Sequence, residues 1–194
     1  MKIKPLILEG KFVRLEPLRL EHFDSLTEVG LDESLWLWTA AIVRNKEDMW
    51  RYVETALDEF KRKISLPFVT VEKSSGNIIG STRFGNINVQ SRRAEIGWTW
   101  INPQWQRTQI NTEAKLLMLS HAFETWNCIR VELKTDVLNE KSRNAIKRLG
   151  AREEGILRRH TITESGRIRD TVYYSILDTE WQNVKNNLQT KLEV

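Results

Sequence analysis

One cysteine, four prolines and nine glycines in 194 residues exclude several classes of protein. A lone Cys128 rules out an internal disulfide framework and a cysteine-rich zinc site, and it fits a reducing compartment. With so few prolines and glycines there is no linker, no collagen-like period and no low-complexity tract. The chain therefore reads as a single domain over residues 1–194, of ordinary size. Long apolar runs are also missing: LLML, within residues 111–126, falls far short of the ~20 residues that a membrane helix needs. The MKIKPLILEGK start has no long apolar core with a cleavage site, so a cytoplasmic protein without a membrane partner is expected. No His or carboxylate set has metal-ligand spacing, and no metal is expected.

What is present is a mild basic excess, 30 Lys and Arg against 26 Asp and Glu, spread over the whole length. Nucleic-acid binders concentrate such charge in a stripe, whereas here only pairs occur, Arg92-Arg93, Lys147-Arg148 and Arg158-Arg159. A nucleic-acid partner is not indicated, and a small anionic ligand accounts for the pairs as well. Eight tryptophans are many for this length, and Trp98, Trp100 and Trp105 fall within one short stretch. Rings this large and this close need a core or a pocket.

Hydrophobic periodicity gives the order of elements. GKFVRLEPL (Gly10 to Leu18) alternates as a first strand, and LRLEHFDSLTEVG reads as a helix. LDESLWLWTAAIV, with Trp36 and Trp38, has no clear period and reads as a mobile loop facing a substrate. Asn45 is an N-cap for a helix with Met49, Val53, Ala56, Leu57 and Phe60 on one face. LPFVTVEK and IIGSTRFGNI flank the turn SSGN as a hairpin. AEIGWTWI alternates cleanly and stops at Asn102-Pro103; a helix then starts near Asn111 or Thr112, with Leu116, Leu119, Phe123 and Trp126 buried. CIRVELKTD is a strand, Asn139 caps a helix with Ala145, Ile146 and Leu149 inward, and Gly150 ends it. ILRRHTIT and IRDTVYYSIL form a late hairpin around ESGR, an edge to which a second copy of the chain could pair as a homodimer. A short helix from Trp181 to Leu188 closes the chain.

The junction of AEIGWTWI, NPQWQRTQ and INTEAKLLMLSHAF carries the most chemistry. A strand feeding a helix through a short connection aims free backbone N–H groups outward, a site for phosphate, and Arg107 stands beside it. Asn139-Glu140-Lys141-Ser142-Arg143 opens a second helix directly after CIRVELKTD. Two helix starts after neighbouring strands would flank one ligand.

LEGKFVRLEPL, AEIGWTWINPQWQRTQINTEAK, NEKSRNAIKRLGAREEGILRRH and GRIRDTVYYSIL together resemble the GNAT acetyltransferases. Within these the match is to the ribosomal-protein N-terminal branch, RimJ/RimL-like, and it spans about Leu8 to Trp181. The resemblance implies an α/β (α+β) fold: a mixed, mostly antiparallel twisted sheet of about seven strands, splayed open in the middle and flanked by helices. It implies acetyl-CoA in the opening as acyl donor. The family's pyrophosphate loop, Q/R-x-x-G-x-G/A, falls on Gln106, Arg107, Thr108, Gln109, Ile110 and Asn111. The first position matches, but Gln109 and Asn111 stand where small residues let backbone approach phosphate closely. The Asn111 amide and the Thr112 hydroxyl are expected to compensate. The strand carrying Gly97, Trp98 and Thr99 corresponds to the one that pairs with the pantetheine arm, where an N–H polarises the thioester carbonyl.

Amine acetylation needs a neutral amine, an approach to the thioester and a proton for the leaving thiolate, with no covalent intermediate. Cys128 is accordingly left out as a nucleophile. The tyrosine that many family members use as acid corresponds to Ile146, which has no proton to give. In the N-terminal branch a serine serves, and Ser142 after Asn139 matches its N-x-x-S pattern. Glu95 is the candidate base, with a structural ion pair to Arg93 or Arg83 as the competing reading. Arg143, in the first helical turn, is the favoured phosphate ligand beside Asn139. The acceptor is then an amine, on a protein N-terminus or a small molecule. The alternative reading, motivated by Gln109, Asn111 and Ile146, is a CoA-binding module without catalysis.

Overall fold

In the computed structural model, which describes residues 1–193, the alternating segments are strands. They are β1 (Leu8–Glu9), β2 (Val13–Pro17), β3 (Leu66–Glu72), β4 (Ile78–Asn88), β5 (Arg93–Ile101), β6 (Arg130–Asp136), β7 (Arg152–Ile162) and β8 (Ile168–Leu177). One sheet holds them in the order β1-β2-β3-β4-β5-β6-β8-β7. The sheet has one strand more than the seven expected, because Leu8 and Glu9 pair with Leu15 and Arg14. Neighbours are antiparallel except β5 and β6, which run parallel.

The helices are α1 (Phe23–Gly30), α2 (Lys46–Lys61), α3 (Gln109–Ser120), α4 (Glu140–Leu149) and α5 (Trp181–Glu193). Among the described residues, no helix is long and apolar enough to cross a membrane. Because strand side chains alternate, each face of the sheet buries its own cluster. Val13, Phe68, Phe84, Val131 and Val172 meet Met118, Ile146 and Leu188 of α3, α4 and α5. Val69, Val71 and Trp100 meet Leu26, Met49 and Val53 of α1 and α2 on the other face. Each such fully buried side chain contributes roughly 1.5–3 kcal/mol. Ala145, expected inward, is exposed, since the apolar stripe of α4 is only Ile146 and Leu149.

Caps fall where the sequence puts them. Asn45 Oδ1 accepts the Asp48 N–H at 2.8 Å, Asn139 Oδ1 accepts that of Ser142 at 3.0 Å, and Gly150 ends α4. The position of α3 is fixed from the far end of the sheet. Glu113 takes the N–H groups of Lys11, Phe12 and Val13 at 2.7, 2.7 and 2.8 Å. Its carboxylate lies so close to Gly10 that any side chain there would collide with it.

Trp36 departs from expectation. It is buried, donates from Nε1 to the Gly30 carbonyl at 2.8 Å and packs on Tyr52 and Trp100. The rest of its loop is docked on the β7–β8 turn: Glu164 N–H donates to the Ala40 carbonyl at 3.0 Å, and its carboxylate accepts the Ile42 N–H at 2.8 Å.

Candidate active site

The parallel pairing of β5 and β6 lasts only from Arg93↔Arg130 to Glu95↔Glu132. Beyond it β5 runs on to Ile101 and β6 to Asp136 as separate strands, so the sheet opens into a gap edged by Gly97, Trp98 and Thr99. A bulge sharpens the opening. Arg83 pairs with Gly97 but Ser81 with Trp100, and Trp98 has a φ of +49°. The clean alternation expected over Ala94–Ile101 is therefore broken, and the Trp98 ring is turned over the Arg83 guanidinium, 4.9 Å away.

Both helices that follow these strands begin beside the gap. Thr108 caps α3, so the helix starts at Gln109, earlier than the expected Asn111 or Thr112. The Thr108 hydroxyl accepts the Ile110 N–H at 3.4 Å and donates to the Trp105 carbonyl at 2.8 Å. Arg107 precedes it, exposed and left-handed at φ +62°. Gln106 ties the loop down: its Nε2 donates to the Ile101 carbonyl at 2.7 Å and its Oε1 accepts from Lys141 of α4. Arg148, in the last turn of α4, donates to Thr112 Oγ1 at 2.6 Å, so α4 is tied to the first turn of α3 as well.

A phosphate fits this cradle. Asn111 has its side-chain oxygen buried without a partner, so the amide lies against the protein instead of over the first-turn N–H groups. At Asn111, where the family carries a small residue, the side chain thus leaves the first-turn N–H groups uncovered. Arg143, expected beside a phosphate, has protein partners in the structure. Its guanidinium turns to the Tyr174 hydroxyl (3.3 Å), the Val137 carbonyl (3.2 Å) and Glu153 (3.4 Å), and clamps α4 to the sheet. Lys141 is the cation that reaches the loop.

Ser142 is half-buried in the first turn of α4, and among the described residues its hydroxyl makes no hydrogen bond. Ile146, the position of the tyrosine acid in other members, is core. Glu95 pairs with neither Arg93 nor Arg83, which go to Glu132 (3.0 Å) and Glu59 (2.9 Å). Its partners are Lys134 at 2.8 Å and Asn86 Nδ2 at 2.7 Å, both on Oε2. Oε1 keeps no donor and fills the space over Gly97, where a side chain would press on it. Burial opposes the charge of Lys134, but Glu95 and Tyr173 outweigh it and raise its pKa.

The sequence reading missed other groups. Lys115 is wholly buried and donates to Thr99 Oγ1 at 2.6 Å and Thr82 Oγ1 at 3.0 Å, directly beneath the bulge. Burial lowers its pKa to about 7. Its spacing from Thr112, Met118 and Leu119 marks the buried face of α3 and was the available signal. On β6 and β8, Glu132, Lys134 and Asp136 alternate with Val131 and Leu133, and Arg169, Thr171 and Tyr173 alternate with Val172 and Tyr174. A strand with one apolar and one charged face signals a surface that is not packed by a helix. Cys128 is inert, its thiol pushed up to about 11 by burial.

A family described as acetyltransferase (GNAT) domain matches residues 13–152. The chain belongs to the GNAT acetyltransferases. YdaF of Bacillus subtilis (strain 168), provisionally named a ribosomal N-acetyltransferase, is 32% identical over 153 residues, 77% of this chain and 80% of that protein. A GCN5-related N-acetyltransferase from Brucella melitensis has a crystal structure with a TM-score of 0.89 and 31% identity, covering 97% of this chain and 86% of that one. Mycobacterium smegmatis RimJ in complex with CoA-disulfide shares the fold at a TM-score of 0.79 and 24% identity, over 97% and 93% of the two chains. The fold and the family of this GNAT acetyltransferase agree with the sequence reading, and its reaction is acetyl transfer.

Proposed function

We propose that this acetyltransferase binds acetyl-CoA between the free edge of β5 and the starts of α3 and α4, and acetylates an α-amino group that approaches from the Glu95 face. The observation that carries this is the early end of the β5–β6 ladder. It leaves the Gly97–Thr99 backbone unpaired on the side where both helix starts point. Acetyl-CoA, when bound, supplies a thioester whose carbonyl carbon the amine attacks and whose thiolate leaves.

Arg107, the first-turn N–H groups of Gln109 and Asn111, and Lys141 hold the pyrophosphate. Gly97, Trp98 and Thr99 present backbone to the pantetheine amides and an N–H to the carbonyl. The amine attacks in its neutral form, and Glu95 Oε1, the oxygen its ion pair leaves open, takes the proton that the nitrogen sheds as the amide forms, directly or through water. Ser142 gives a proton to the departing thiolate, and Asn139 fixes the turn that carries it. The proton count closes: one leaves the amine and one reaches the thiol. The names of YdaF and of the RimJ and RimL neighbours support a protein N-terminus as acceptor.

Ser142→Ala tests the assignment. It should lower kcat roughly 10²-fold while leaving the acetyl-CoA dissociation constant unchanged. Unaltered turnover would remove Ser142 from the mechanism.

A further inference from the structure

Two arginines on the Glu95 face share one carboxylate. Glu95 is matched by Lys134, but Arg167 and Arg169 share a single carboxylate, Asp136, which is completely buried. Arg167 pairs with its Oδ2, and the Leu138 N–H donates to its Oδ1 at 2.9 Å. Arg169 Nε stands 3.9 Å from the same Oδ2, beyond hydrogen-bonding distance, and is buried without a partner. Among the described residues no acceptor takes its terminal nitrogens either, although only 12% of the side chain is exposed. Its pKa is lowered, first by burial and further by Arg167. A desolvated guanidinium without hydrogen bonds is costly.

The position of Arg169 suggests a use. It lies on the side of β8 that carries Tyr173, the neighbour of Lys134, and the α1–α2 core includes no residue of β6, β7 or β8. Arg167, beside it, stacks on Trp38 of the docked loop. A planar fork of N–H donors largely withdrawn from water matches a carboxylate.

We infer that Arg169 binds a carboxylate of the acceptor, so that the acetylated α-amine belongs to a molecule carrying an acidic group close to it. Two sources share this chemistry: a free amino acid, through its own carboxylate, and a peptide N-terminus with Asp or Glu among its first residues. The inference rests on the proposed approach of the acceptor from the Glu95 face.

The test is a binding titration of the whole protein saturated with CoA, using two matched pairs: alanine against alaninamide, and Ala-Glu-amide against Ala-Gln-amide. The expected result is roughly tenfold or more tighter binding of the carboxylate member in one pair, lost in Arg169→Met while CoA affinity is unchanged. The responding pair identifies the source. Equal binding within both pairs by the wild type overturns the inference, as does a preference that survives in Arg169→Met. The wild-type comparison decides even if the variant folds poorly. A carboxylate preference without acetyl transfer to any amine would count against the proposed function and leave this inference standing.

Discussion

Lys115 has two hydroxyls and no carboxylate as partners, an arrangement that satisfies either protonation state. A threonine hydroxyl accepts from the ammonium and donates to the amine. Folding moves its pKa from 10.5 to about 7. Between those values the unfolded chain holds the extra proton, so stability should rise with pH through that window and be lowest below pH 7. Lys115→Met should flatten this slope and raise stability at pH 6 by roughly 2–4 kcal/mol, as urea unfolding at several pH values would show. A slope unchanged in the variant would place the titration elsewhere. Glu95→Gln belongs to the same scale: kcat should fall about 10²-fold with little change in the acetyl-CoA dissociation constant, whereas a purely structural carboxylate would alter stability and leave kcat alone. As candidates, Ser142 was legible from its N-x-x-S pattern and Glu95 from its place two residues before Gly97. The partner of Glu95 was not, since Lys134 lies on a strand whose register with β5 no local pattern specifies.

The ladder between β5 and β6 decides where the gap opens, and α3 decides what faces it. Glu113 holds that helix to the β1–β2 turn, and Glu113→Ala would leave the N–H groups of Lys11, Phe12 and Val13 without their acceptor. A loss of about 2–4 kcal/mol in chemical denaturation is expected, larger than the ~1 kcal/mol for removing the α3 cap in Thr108→Ala. Strand order apart, the elements themselves were readable from periodicity and caps: Asn45, Asn139 and Gly150 stand where the sequence places them. The bulge at Trp98 was not readable. A left-handed tryptophan contradicts its own propensity, and only the packing of its ring on Arg83 and the pairing of Thr99 with Lys115 select it. The partners of Arg143 were hidden for a related reason. First-turn position shows which end of a helix a side chain occupies, but the Tyr174 hydroxyl and Glu153 that capture it come from β8 and β7.

At the scale of the molecule, the two halves of the splayed sheet meet again through the loop after Trp36, which lies on the β7–β8 turn. Glu164→Ala removes the acceptor of the Ile42 N–H and should release that loop. Faster amide exchange is expected over residues 38–43, with a several-fold higher KM for the acceptor and an unchanged dissociation constant for acetyl-CoA. Equal effects on both substrates would mean that the loop supports the whole gap and not the acceptor side alone. The sequence suggested a mobile segment here because its composition has no period; the contact that holds it joins residues more than a hundred positions apart, beyond any local signal. The central claim is that an amine attacks acetyl-CoA directly in the gap between β5 and β6. Its most direct measurement is the release of free CoA thiol from acetyl-CoA, followed against an amine and N-terminal peptide panel together with the mass of the enzyme. The account predicts release that requires an amine, matches the N-acetyl product one for one and leaves the enzyme unacetylated. Acetyl-CoA binding without amine-dependent thiol release across the panel, or acetyl groups accumulating on the enzyme, would contradict it.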